Sequence, residues 1–255
     1  AVGTGIVKPG LLNTSLGTSG VVFVHSDQPQ FDPQGRLHTF CHAVRGKWHM
    51  MGVTLTAGGA LSWFQETLCQ KLGKRGGAVS FDELVAEAEQ TPPGAEGLRF
   101  LPYLAGERTP HLDAEARGVL AGLTLAHRHG HIVRAILEVV TFALRDSFAL
   151  IDQLDVPIRQ VRATGGGSKN PFWRQMQADI FGKPVSTMRA DEGPAYGVAL
   201  LAAVGVGHYK NIQEACAATI ETAETTRPDA KRKKFYNAEF PQCQALYPAL
   251  RSKLS

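Results

Sequence analysis

Residues 164–184 read TGGGSKNPFWRQMQADIFGKP. Three consecutive glycines follow a short stretch, Gln160 to Ala163, and lead straight into an amphipathic segment. Asn170 and Pro171 open that segment as a helix, because Asn is a favoured N-cap and Pro is favoured at the first helical position. A glycine turn between a strand and a helix lets a backbone come close to something, often a phosphate or a nucleotide. The spacing is neither the dinucleotide fingerprint G-x-G-x-x-G nor the P-loop G-x-x-x-x-G-K-[ST]. What the run approaches therefore has to be read from the rest of the chain.

Working outward, Val161 to Thr164 reads as a strand entering the run, and PVSTM at 184–188 as a short strand leaving the helix. GPAYGVALLAAVG (193–205) reads as a small-residue helix that packs closely against a neighbour, and a region rich in Lys, Phe and Tyr closes the chain as helix. Upstream, Ile132, Ile136, Val140, Leu144, Phe148 and Ile151 recur at steps of three and four and predict a helix over 131–154. Strand-like runs at Leu11 to Leu16 and Val21 to Val24 flank Gly17-Thr18-Ser19-Gly20, a hairpin signal. A further strand is predicted at Trp48 to Thr54, with a helix from Ala60 to Leu72 after it. A helix over Phe81 to Gln90 has Ser80 and Glu83 as a capping box. TPPGAEG breaks the chain before LRFLPYL (98–104), read as another strand. Hairpin strands first and alternating strands and helices later predict an α/β fold, a mixed sheet flanked by helices.

Composition bounds the functional classes. Of 255 residues, 44% are hydrophobic and 20% charged, the balance of an ordinary globular protein. A net charge of +4 gives no reason to expect nucleic acid, and Lys231 to Lys234 reads as a solvated helix face. Cys41, Cys69, Cys216 and Cys243 lie far apart without a C-x-x-C pair, which favours a reducing compartment over a disulfide framework. No run approaches the roughly 18 apolar residues of a membrane span, so no membrane is expected and the expected address is cytoplasmic. His38, Cys41, His42 and His49 invite a metal reading, but strand alternation sends His38 and Cys41 to opposite faces and no carboxylate completes a zinc set. No metal is expected there. HRHGH at 127–131 reads as a loop leading into a helix.

Two glycine turns then matter together. The first can offer consecutive backbone N–H groups and two hydroxyls to a phosphate, and the second lets a flat group lie against bare backbone. LNTSLGTSG (12–20), TLTAGGALSW (54–63), FLPYLAGERTPHLDAEARGVLAGL (100–123), ATGGGSKNPFWRQMQADIFGKPV (163–185) and DEGPAYGVALLAA (191–203) resemble, in that order, the carboxy-terminal half of the FGGY carbohydrate kinases. The resemblance implies the actin-like, ribonuclease-H-like ATPase fold, with 1–255 as the nucleotide-binding domain. The sugar would be held mainly by an amino-terminal domain, and ATP would lie in the cleft between the two.

On that resemblance Thr18 faces the ATP phosphates, Gly58 and Ser62 lie beside the nucleotide, and Gly166 and Asn170 line the adenosine. Some relatives carry Gln where Ser62 stands. The bland reading of Asn170 is a helix N-cap, and that of Glu107 with Arg108 is an ion pair pinning a loop. The implied chemistry is in-line phosphoryl transfer from Mg·ATP to a sugar hydroxyl, with D-xylulose favoured. The proton-accepting Asp is expected immediately ahead of the segment matching Ala1 to Gly5, so no catalytic residue is expected within these 255 residues. The expected partners are the sugar and the amino-terminal domain, with a homodimer left open. A second reading is a nucleotide-binding module without catalysis that acts through a partner.

Overall fold

The computed structural model describes residues 1–69, 79–190 and 193–254. Its strands are β1 Gly10–Leu16, β2 Gly20–Ser26, β3 His38–Cys41, β4 Trp48–Thr54, β5 Arg99–Leu101, β6 Val119–Ala121, β7 Ile158–Thr164, β8 Val185–Met188 and β9 Thr222–Thr226. Its helices are α1 Gly58–Leu68, α2 Phe81–Glu89, α3 His129–Asp152, α4 Gly166–Lys169, α5 Pro171–Phe181, α6 Gly193–Gly205, α7 Ile212–Thr219 and α8 Ala230–Leu254. Seven strands form one sheet in the order β3-β4-β2-β1-β7-β8-β9. The β1–β2, β2–β4, β3–β4 and β8–β9 pairs are antiparallel, whereas β1–β7 and β7–β8 are parallel. The sheet is mixed, as the order of hairpins and later alternation predicts.

Alternation along the central strands separates two packed layers. Leu12, Leu16, Val22, Val24, Val161 and Ala163 enter the main core with residues of α1, α2, α3 and α5. Arg162, between Val161 and Ala163, serves the opposite face, where its guanidinium donates to the Thr4 carbonyl. On that side Val2, Val7, Val44, Leu200, Ala215 and Cys216 form a second apolar cluster from the chain start, the β3–β4 connection, α6 and α7. Helices thus cover both faces of the sheet.

Several sequence-level boundaries shift for identifiable reasons. The predicted strand over 98–104 shrinks to β5, because Pro102 cannot donate to a ladder, and β5 pairs with β6 outside the main sheet. The long helix begins at His129 rather than His131, so the last three residues of HRHGH belong to its first turn. Its periodicity predicts one buried face, yet Val133 to Leu144 is buried almost throughout, because α3 lies among α1, α2, α5, α8 and the sheet. The helix after Gly59 ends at Leu68, and Leu72, its predicted end, lies outside the described residues. In the basic run Lys231 and Lys234 are exposed, whereas Arg232 Nε lies 2.5 Å from the buried carboxylate of Asp179.

Among the described residues no helix is long and apolar enough to cross a membrane, and no group of three or more His, Cys, Asp or Glu residues could hold a metal. Within the histidine cluster both ring nitrogens of His42 are engaged by the protein. Val44 N–H donates to its Nδ1 (2.9 Å), so Nε2–H donates to the Ile6 carbonyl (2.9 Å) and no ring lone pair is left for a ligand. Burial and the neighbouring His25 and His49 push the imidazole down to about 4.

Candidate functional site

The parallel pairing of β1 with β7 sets Ser15 opposite Thr164. The two strands leave the sheet at the same edge, so the turn beginning at Gly17 and the run beginning at Gly165 emerge side by side. This edge is also where the strand order reverses, since the chain builds outward from β1 through β2 on one flank and later through β7 and β8 on the other. The crevice at such a switch point is where open α/β sheets bind ligands.

The first turn is tied down through its carbonyls. Ala57 and Gly59 N–H donate to the Thr18 carbonyl at 2.8 and 3.0 Å, and Gly58 N–H donates to the Gly17 carbonyl at 2.9 Å. Anchored this way, the turn leaves the side chains of Thr18 and Ser19 exposed, and the Thr18 hydroxyl makes no hydrogen bond among the described residues. A Cβ added to Gly58 would lie 2.7 Å from the Gly17 carbonyl oxygen, so this glycine serves the contact between helix and turn. Four residues on, Ser62 Oγ donates back to the Gly58 carbonyl at 3.4 Å.

The second turn is different. Gly165 has φ +82°, a conformation that side chains rarely adopt, and the chain passes directly into α4. Asn170 Oδ1 accepts from Trp173 N–H at 3.1 Å and caps α5, with Pro171 at its first position. The cap uses the Asn170 carbonyl oxygen and leaves its amide donors available to the cleft. The side wall comes from α2, whose capping box joins Ser80 and Glu83 and sets Phe81, Asp82 and Val85 in place. Losing such a cap would cost about 1 kcal/mol.

These elements enclose a cleft of about 480 Å³. Thr18, Gly58, Ser62, Gly166 and Asn170, separate in the sequence, all line it. Leu16, Leu61, Val85 and Trp173 supply apolar wall, and Lys169 lies at the rim of the same space. Trp173 is 5% exposed and held by its Nε1–H donating to Thr141 Oγ1 at 3.1 Å. An apolar slot with a few polar groups at its ends suits a planar heterocycle carrying a charged tail. The sequence did not single out Phe81, Asp82, Val85 or Trp173. Their only local signal is the pair of helix N-caps beside them.

Glu107 does not form the pinning ion pair with Arg108. Its carboxylate, 2% exposed, accepts from Thr54 Oγ1 at 2.6 Å, from Leu55 N–H at 3.0 Å and from the backbone N–H of Arg108 at 2.7 Å. Burial pushes the carboxyl up to about 7 against the opposing pull of these donors.

The sequence pattern described as the FGGY family of carbohydrate kinases, C-terminal domain, matches residues 12–206. The chain is 38% identical over 247 residues to the xylulose kinase of Bacillus subtilis (strain 168), covering 97% of this chain and 48% of that protein. Among solved structures it resembles ligand-bound xylulose kinase from Lactobacillus acidophilus (TM-score 0.90, 27% identity, 99% of this chain and 50% of that one). It also resembles gluconate kinase from the same organism (TM-score 0.89, 28% identity, 99% and 50%). The chain spans about half the length of the curated relatives it matches. With its mixed sheet and flanking helices it has the actin-like ATPase fold of these neighbours, and it belongs to the FGGY family of carbohydrate kinases, within the carboxy-terminal domain of that family.

Proposed function

We propose that the chain is the nucleotide-binding half of a sugar kinase that transfers the γ-phosphoryl group of Mg·ATP to a hydroxyl of D-xylulose. The observation that carries this reading is that five residues matched from separate motifs line one cleft at the switch point of the sheet. Adenosine lies in the slot against Gly166 and the Asn170 amide, and the phosphates extend toward Thr18 and the amides of its turn. Magnesium arrives on the phosphates as part of the substrate. Phosphoryl transfer gains its rate from positioning and from stabilising spread negative charge, which suits a site built of turns and amides. The proton-accepting carboxylate and most sugar contacts belong, in this reading, to the amino-terminal domain of the same enzyme. The site is cytoplasmic, and a homodimer is consistent with it.

A substrate panel on the protein from the complete reading frame tests this. D-Xylulose should give the highest kcat/KM, with ATP consumed mole for mole. Faster phosphorylation of gluconate, which one structural neighbour's name favours, corrects the sugar. ATP binding with no phosphorylation of any sugar in the panel overturns the kinase reading in favour of a non-catalytic module.

A further inference from the structure

The loop after β5 packs against the end of β4, away from the cleft. Thr109, fully buried, donates its N–H to the Val53 carbonyl (2.9 Å), accepts from Val53 N–H (3.1 Å) and donates its hydroxyl to the Arg36 carbonyl (2.8 Å). Glu107 extends the same seam by one residue pair, holding Thr54 and Leu55 as described above. Only Thr56 separates Leu55 from Ala57, and the N–H groups of Ala57, Gly58 and Gly59 are the ones that hold the Thr18 turn. One buried carboxylate and one cleft turn are therefore joined through the corner at 54–57.

We infer that Glu107 is a positioning residue: by fixing the corner between β4 and α1 it sets where the Thr18 turn presents its amides and hydroxyl to the cleft. The effect on turnover rests on the phosphate role proposed for Thr18; the effect on the corner does not. Acceptor geometry carries the role, because all three partners of the carboxylate are neutral donors. A glutamine can reproduce the arrangement. Its amide oxygen accepts from Leu55 and Arg108 N–H, and its NH₂ donates to a Thr54 hydroxyl turned to accept.

The experiment compares Glu107→Ala and Glu107→Gln in the full-length protein, with amide hydrogen exchange and steady-state kinetics below the melting transition. In Glu107→Ala, exchange at Ala57 to Gly59 should accelerate while exchange in α3 stays at the wild-type rate. Turnover should fall on the order of tenfold to a hundredfold, the scale of an ångström-size misplacement, with KM for sugar within about twofold. Glu107→Gln should recover most of both. If Glu107→Ala does not fold, Thr54→Val, which removes one of the three bonds, should show the same pattern at a few-fold.

Wild-type exchange at Ala57 to Gly59 in a folded Glu107→Ala or Thr54→Val variant overturns the inference, whether or not the protein phosphorylates a sugar. A Glu107→Gln variant as damaged as Glu107→Ala overturns the acceptor role. Accelerated exchange with unchanged turnover upholds the positioning and instead refutes the phosphate role of the Thr18 turn.

Discussion

A methyl group added to Gly165 would lie 2.5 Å from the Leu16 carbonyl oxygen, and one added to Gly167 would lie 2.6 Å from Leu16 Cδ2. One added to Gly166, between them, meets nothing within 4 Å among the described residues. The hairpin turn on the other side of the cleft has a different design. There the protein holds carbonyls, through the amides of Ala57 to Gly59, and leaves side chains facing the opening. In the glycine run the protein holds the two outer residues by close approach and leaves bare backbone in the middle. The contrast separates what the fold requires from what it leaves open. Gly165, Gly167 and Gly58 answer to the protein, and Gly166 and the Thr18 hydroxyl have no partner to answer to among the described residues.

The largest expected effect lies on the fold's side of that division. Gly165→Val combines a positive φ with an overlap on backbone, for a cost on the order of 4 kcal/mol. The melting temperature should fall by roughly 10 °C, measured by thermal denaturation. A variant that melts with the wild type would show that the outer glycine is as unconstrained as the middle one, and the comparison would collapse.

Thr18→Val comes next and leaves the fold alone. The hydroxyl has no partner within the described residues, so stability should be unchanged. If the hydroxyl donates to the transferring phosphoryl group, turnover of the full enzyme should drop on the order of a hundredfold. Wild-type turnover would assign the turn's work to its backbone alone.

Gly166→Val should be milder and more selective. The melting temperature should hold, because the added side chain has space within the protein. KM for ATP should rise on the order of tenfold, the equivalent of about 1.4 kcal/mol of lost contact, with KM for sugar little changed. Equal rises for both substrates at constant stability would remove adenosine from this position.

The sequence exposed the parts of the site whose local chemistry is self-contained. Asn170-Pro171 and Ser80 with Glu83 are helix starts that need no distant partner to be recognised, and both form as read. The hairpin around Gly17 is legible for the same reason. Edge strand β9, Thr222–Thr226, is mostly exposed and shows no hydrophobic alternation, because its ladder with β8 is a backbone matter. The role of Glu107 was hidden differently. Two of its three partners lie more than fifty positions earlier, and a Glu beside an Arg suggests a pair that tertiary structure replaces with a hydroxyl and two backbone N–H groups. The walls of the cleft given by Phe81, Asp82 and Val85 depend on how α2 packs on α3, which no single segment encodes.

Trp173 gives the cleft an optical consequence. The chain has three tryptophans, and of these Trp173 lines the cleft, whereas Trp63 stacks on Phe100 and Trp48 begins β4. An indole fixed in an apolar slot by its hydrogen bond to Thr141 is placed so that a second aromatic ring entering beside it would quench its emission. Adding ADP should therefore quench part of the intrinsic fluorescence with a saturable profile. Trp173→Phe should abolish that change while Trp48→Phe preserves it. The protein would then report its own occupancy without a label, and an unaltered quench in Trp173→Phe would place the bound ring elsewhere.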